Sequence, residues 1–141
     1  MVMDLFGINN MKFISPLSVY LPRKTMPDKK MLLNFNVYRN IHHAVNGQLK
    51  IEYTRLMEEQ LKGVKLKTPI HIGFVLYKSQ NRKLDRSNIL SIVEKFFCDA
   101  LTHYGCIEDD NDEYIKSTKY TTGGVDRKNP RVEILIKEST K

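Results

Sequence analysis

The sequence predicts a single α+β domain (mixed α/β), in which a small mixed β-sheet of about four strands packs against two main helices. Three observations carry that prediction. Val132, Ile134 and Ile136 recur at every second position within residues 131–137, the period of a half-buried strand. Ile89, Ile92, Val93, Phe96, Phe97, Ala100 and Leu101 recur at three- and four-residue steps, as on a helix lying against a sheet. The chain has 141 residues, enough for one hydrophobic core with little room for a second.

Taken in order, residues 1–10 match no recognisable element and are expected to be an N-terminal arm. Residues 12–21 mix Phe13, Ile14, Val19 and Tyr20 and end at Pro22, which predicts a strand running into a loop. Residues 23–46 read as a basic loop, with Arg23, Lys24, Lys29, Lys30 and Arg39 interleaved with Phe35, Tyr38 and several asparagines. That mixture suits phosphate neutralisation with ring stacking on bases, and equally an ordinary solvated loop with aromatic anchors. The adjacent His42 and His43 are read as structural or phosphate-contacting. Leu49, Tyr53, Leu56, Met57 and Leu61 make the stripe of a surface helix over residues 48–62, following Gly47 and closed by Gly63. Pro69 opens an apolar strand over residues 70–77, expected to be central. Asp85, Ser87 and Asn88 are candidate N-caps of the second helix, which runs out at Gly105. Residues 114–118 predict a short strand. Gly123, Gly124, Asn129 and Pro130 then mark the turn of a hairpin leading into the last strand.

Composition narrows the partners. Lys and Arg outnumber Asp and Glu by 23 to 16, a net charge of +7, which favours DNA or RNA ahead of a membrane surface. No run approaches the roughly 18 apolar residues of a membrane span, and Asp4, Asn9 and Asn10 interrupt any signal-peptide core. A soluble, cytoplasmic protein without membrane association is therefore expected. Cys98 and Cys106 form no C-x-x-C pair and read as reduced thiols, not zinc ligands.

Against the basic background, five of the six residues from 108 to 113 are acidic: Glu108, Asp109, Asp110, Asp112 and Glu113. Neighbouring carboxylates disfavour their own ionisation unless a cation neutralises them. The cluster is either a divalent metal site on a nucleic-acid-binding surface or a solvated acidic turn, the commoner case. It is not an EF-hand, because Tyr114 falls where an oxygen ligand belongs and no glycine makes the sharp turn. A metal held here would be Mg²⁺ or Mn²⁺, bound by one or two carboxylates and a phosphate. On the helix before it, Asn88, Ser91, Lys95, Asp99 and Thr102 share one face, and Lys95 with Asp99 has the spacing of an ordinary ion pair.

The run Asp85-x-Ser87-Asn88, then Lys95-x-x-x-Asp99-Ala100-Leu101, Gly105 and Asp109-Asp110, resembles the RusA family of Holliday junction resolvases. That family has an Asp-x-Asp-Asn motif at a helix start, a lysine on the helix, an Asp-Ala-Leu segment, a glycine and an Asp-Asp pair. The likeness spans residues 11–138, which would form the endonuclease domain. It implies a small homodimeric endodeoxyribonuclease of phage or prophage origin, acting in the bacterial cytoplasm on branched DNA. By the same resemblance, Asp85 and Asp110 would hold Mg²⁺ with help from Asp109, and Lys95 would stabilise charge on the reacting phosphate. Arg23, Lys24, Arg39, Arg82, Lys83, Arg86 and Asn88 would contact the DNA.

The chain departs from that pattern twice. Ser87 stands where the family has its second motif carboxylate, and Glu94 or Asp112 are the residues that could supply the missing charge. Asn88 and Lys95 are seven positions apart against about three in the family, an insertion of roughly one helical turn that returns the lysine to nearly the same face. The alternatives to an active resolvase are a catalytically weak or inactive branched-DNA-binding protein of the same fold and, on charge alone, a ribonuclease or ribosome-associated protein.

Overall fold

The computed structural model describes residues 2–3, 9–83 and 85–139. In chain order its elements are β1 (Val2–Met3), β2 (Asn9–Ser15), β3 (Ser18–Leu21), β4 (Lys29–Leu32), α1 (Phe35–Asn40), α2 (His43–Leu56), α3 (Glu58–Leu61), β5 (Ile70–Lys78), α4 (Arg86–His103), β6 (Ile115–Val125) and β7 (Arg131–Lys137). The main sheet runs β1-β2-β7-β5-β6, and β3 and β4 form a separate two-stranded ribbon. Its four longer strands are the mixed sheet expected from the sequence. β7 pairs antiparallel with both β2 and β5, whereas β6 pairs parallel with β5. Of the expected N-terminal arm, residues 1 and 4–8 lie outside the described residues; Val2 and Met3 pair with Asn10 and Asn9.

One face of the sheet carries the core. Phe13, Ile72, Phe74, Leu76, Val132, Ile134 and Ile136 are buried there against Leu49, Tyr53, Met57 and Leu61 of the α2–α3 segment and Leu90, Val93, Phe96 and Phe97 of α4. Phe97 is the hub, with ring centroids 5.9 Å from Phe13 and 6.3 Å from Phe74. Truncating such a ring typically costs about 3–5 kcal/mol through lost burial and the cavity left behind. The other sheet face bears Lys12, His71, Tyr77, Arg131 and Glu133, all exposed or half-buried. There the Arg131 guanidinium sits 4.2 Å over the Tyr77 ring and bridges Asp126 and Glu133, each at 2.8 Å.

The structure corrects four expectations. The strand expected over residues 12–21 is two strands, broken at Pro16, whose missing N–H cannot extend the ladder. β2 stays in the sheet while β3 leaves it to pair with β4. The basic loop expected over residues 23–46 is largely ordered. It contains β4 and α1, the latter capped by Asn34, whose Oδ1 accepts from the Val37 amide at 2.8 Å. The helix expected over residues 48–62 begins at His43, with Gly47 inside it, and is interrupted at Met57. Packing of Leu49 and Tyr53 on the core outweighs the ~1 kcal/mol that an internal glycine costs a helix. The expected hairpin is absent: β6 and β7 lie on opposite sides of β5, and the short strand over residues 114–118 is the start of the eleven-residue β6.

Other readings hold. β5 is interior to the sheet, and Gly63 and Gly105 follow their helices with φ of +84° and +71°, the left-handed turn that glycine adopts without strain. Among the described residues no helix is long and apolar enough to cross a membrane. Cys98 and Cys106 are buried free thiols.

Candidate functional site

The start of α4 is built on Asp85. Its Oδ1 accepts from the Ser87 backbone amide at 3.1 Å and from the Ser87 hydroxyl at 2.6 Å. These bonds, the hydroxyl foremost, hold the Asp85 carboxyl below its ordinary value. Ser87 therefore ties down its neighbour's carboxylate and offers none of its own. Around this cap Arg82, Lys83 and Arg86 are exposed and Asn88 is half-buried. Arg86 reaches toward the Thr122 hydroxyl on β6, at 3.5 Å, and the Arg82 carbonyl accepts from Lys78 Nζ at 3.1 Å.

Further along, α4 and β6 border an open cavity of about 380 Å³ with the loop that joins them. Ser91, Glu94, Lys95 and Cys98 come from the helix, Asp110 and Asp112 from the loop, and Ile115, Thr118 and Tyr120 from the strand. Three of the four α4 residues follow the helical repeat Ser91, Lys95, Cys98, and Glu94 lies one turn from Cys98. The Tyr120 hydroxyl donates to the Glu94 carboxylate, and its ring packs edge-on against Phe74, 6.0 Å between centroids. Burial, with that carboxylate second, raises the Tyr120 phenol well above its ordinary value, so it remains a donor. Burial also raises the Cys98 thiol, reinforced by the charges of Glu94, Asp110 and Asp99. Cys98 is thus a neutral wall and no nucleophile.

The acidic cluster divides into two parts. Glu108 accepts from the Tyr114 hydroxyl at 2.6 Å, which pushes that phenol up to about 12. Asp109 accepts from the Asp110 amide at 2.8 Å and from the Asn111 side chain at 3.3 Å. These two carboxylates fix the turn. Asp110 and Asp112 face the cavity. Asp109 and Asp110 also border a second, wider groove of about 630 Å³ between α2 and the end of α4.

Of the expected catalytic residues, the structure brings Lys95 and Asp110 together around the cavity and leaves Asp85 elsewhere. Asp85 is not among its lining residues and precedes Ser91, the nearest α4 residue that is, by roughly 9 Å of helix axis. Lys95 is exposed and makes no ion pair among the described residues; the pairing expected with Asp99 is replaced by one from Lys50 to Asp99 at 3.1 Å. No group of three or more His, Cys, Asp or Glu side chains among the described residues is close enough together to hold a metal ion. The donor set is still of the kind Mg²⁺ uses, carboxylate oxygens from one or two residues with water completing the shell.

The expected DNA contacts fall into three places. Arg23 and Lys24 lie in the turn between β3 and β4, exposed, with Arg23 Nε bonded to the Pro27 carbonyl at 2.8 Å. Arg39 sits on α1, 5.6 Å over the Phe35 ring. Arg82, Lys83, Arg86 and Asn88 surround the start of α4. The third group adjoins the base of the β3–β4 ribbon, where Leu32, Leu33 and Asn34 share a small cavity of about 200 Å³ with Lys78 and Arg82, while Arg23 and Lys24 lie at the ribbon's opposite end.

Sequence reasoning missed Tyr120 as part of the site, since a tyrosine in a polar strand carries no signal of its partner. Glu94 was visible only as a spare charge one residue before Lys95. Neither models of known protein families nor curated proteins give a match to this chain.

Proposed function

We propose that the protein is a Mg²⁺-dependent endodeoxyribonuclease of the RusA type, resolving four-way DNA junctions by paired nicks during recombination and repair, with Mn²⁺ able to replace Mg²⁺. One observation carries the reading: Lys95, an ammonium without an ion-pair partner among the described residues, borders the same cavity as Asp110, Asp112 and Glu94, on a protein of net charge +7. Carboxylates beside a cation suit metal-dependent phosphodiester cleavage, the first to bind metal and the second to stabilise charge building on the phosphate.

In this reading Asp110, with Asp112 or Glu94, would hold the ion, whose chemistry is to polarise the scissile phosphate and supply a nucleophile at neutral pH. Lys95 neutralises charge on the phosphate oxygens. Tyr120 keeps Glu94 oriented by donating to it. Asp85 caps α4 and so fixes Arg82, Lys83 and Arg86, which hold the DNA backbone without reading sequence. A four-way junction has approximate two-fold symmetry, so paired cuts call for a homodimer with one site per subunit.

A second reading is a branched-DNA-binding protein that does not cut, favoured by the hydroxyl at Ser87, which is occupied by Asp85 and supplies no charge. Incubating a labelled synthetic four-way junction and a linear duplex of the same sequence with Mg²⁺, Mn²⁺ or EDTA separates the two. Symmetric, metal-dependent nicks confined to the junction are expected. Tight binding with no cutting in either metal would move the protein to the second class.

A further inference from the structure

We propose that the β3–β4 ribbon holds unpaired bases at the branch point of the DNA, with Tyr20 as the stacking platform and Met26 as a wedge at the tip. This rests on the DNA-binding reading above and goes beyond it in assigning base contacts to a surface that the phosphate-binding residues do not explain. The ribbon is two-sided. Its inner residues Val19, Leu21, Met31 and Leu33 are buried in the core, and the Leu33 amide bonds to the Leu17 carbonyl at 2.9 Å to close its base. Its outer face is therefore held rigidly toward solvent.

On that outer face Tyr20 is 55% exposed and stands directly opposite Lys30 in the strand register. An exposed ring beside an ammonium is the pairing that takes a base on its π-face and the adjoining phosphate on its charge. Every residue from 22 to 30 is exposed. Within that tip Met26 is 56% exposed, and the bond from Arg23 Nε to the Pro27 carbonyl braces the chain on either side of it. Apolar side chains presented this way between cations serve in DNA-binding proteins to part stacked bases.

Charge selects the occupant. The tip and the start of β4 carry Arg23, Lys24, Lys29 and Lys30 against one carboxylate, Asp28, which favours a polyanion over a second copy of this basic chain. The base of the ribbon also adjoins Lys78 and Arg82, so cations stand at both ends of the ribbon, toward its tip and toward α4.

The test uses the full chain with Tyr20→Ala, Tyr20→Phe and Met26→Ala. The probe is a four-way junction carrying 2-aminopurine at the branch point, compared with the linear duplex. Wild-type protein should raise the 2-aminopurine fluorescence on binding. Tyr20→Ala should weaken junction binding about tenfold, the loss of one stacked base, with duplex binding unchanged and Tyr20→Phe restoring affinity. Met26→Ala should remove most of the fluorescence rise. If wild type binds the junction but Tyr20→Ala leaves its affinity unchanged, or weakens junction and duplex equally, the ribbon assignment is overturned while DNA binding stands. If Tyr20→Ala turns a dimer into a monomer by light scattering, the ribbon is a subunit interface and the assignment is likewise wrong. Failure of wild type to bind either DNA would remove the DNA reading and this inference together.

Discussion

Lys50 Nζ lies 3.1 Å from the Asp99 carboxylate, a contact from α2 to α4 that takes Asp99 away from the lysine one turn earlier on its own helix. Lys95 is thereby left at the cavity without a partner among the described residues, available to a phosphate. Lys95→Ala should lower junction cutting by about a hundredfold or more while binding changes little, because the lost interaction forms as charge develops in the transition state. Lys50→Ala should cost less than about 1 kcal/mol of stability, the ordinary worth of a partly exposed pair, and, since it only lets Asp99 turn back toward Lys95, lower cutting far less than Lys95→Ala does. Single-turnover rates and urea titrations of the two variants check this; equal effects of both on cutting would count against a phosphate role for Lys95.

The Asp85 cap makes stability depend on pH with a definite sign. Its folded-state pKa lies below the ordinary 3.8. The contribution is therefore present above that ordinary value and lost as the pH falls through the lowered one. Melting curves between pH 2 and pH 6 should show wild type losing its advantage over Asp85→Ala in that acidic window. Asp85→Asn, which caps a helix nearly as well, should show little deficit at neutral pH. A constant gap between wild type and Asp85→Ala across the whole range would mean that the charge contributes nothing.

Gly123 is required by space. A Cβ there would lie 2.6 Å from the Tyr77 ring and 2.8 Å from Val75 Cγ1, both on the central strand. Gly123→Ala should destabilise the fold by about 1–3 kcal/mol through overpacking, read as a lower urea midpoint. A midpoint equal to that of wild type would show that β5 and β6 can part freely.

Tyr53 is wholly buried and its hydroxyl donates to the Ser15 hydroxyl at 2.8 Å. That bond ties α2 to the end of β2, where Pro16 turns the chain out of the sheet. Tyr53→Phe should cost about 1–2 kcal/mol, because Ser15 loses its donor in a buried place. Unchanged stability in equilibrium unfolding would mean that Ser15 finds another partner.

The elements that could be read from the sequence were those whose pattern is local. The α4 stripe from Ile89 to Leu101 is buried or half-buried at every expected position, though Leu90 and Cys98 are buried too and widen it. β7 and β5 announced themselves by alternation and by apolar density. Non-local pairing was not legible. β6 and β7 follow one another across an obvious turn, yet β5 takes the place between them, because its apolar strand gains burial by pairing on both edges. Residues 23–46 looked like loop because polar caps and cations mask the alternation of Met31 and Leu33, which point inward. At the site, residue type and spacing suggested Lys95 and Asp110, but not that Asp85 is held at the far side by Ser87, nor that Tyr120 reaches Glu94 across the cavity.

The most direct test is a comparison of Asp110→Asn with Asp85→Asn, measuring cutting and binding of one four-way junction in the same Mg²⁺ buffer. Asp110→Asn should lose cutting by at least about a thousandfold while junction affinity stays within about twofold of wild type, and Asp85→Asn should still cut. Wild-type cutting by Asp110→Asn would place the chemistry outside the cavity between α4 and β6 and contradict the proposed site.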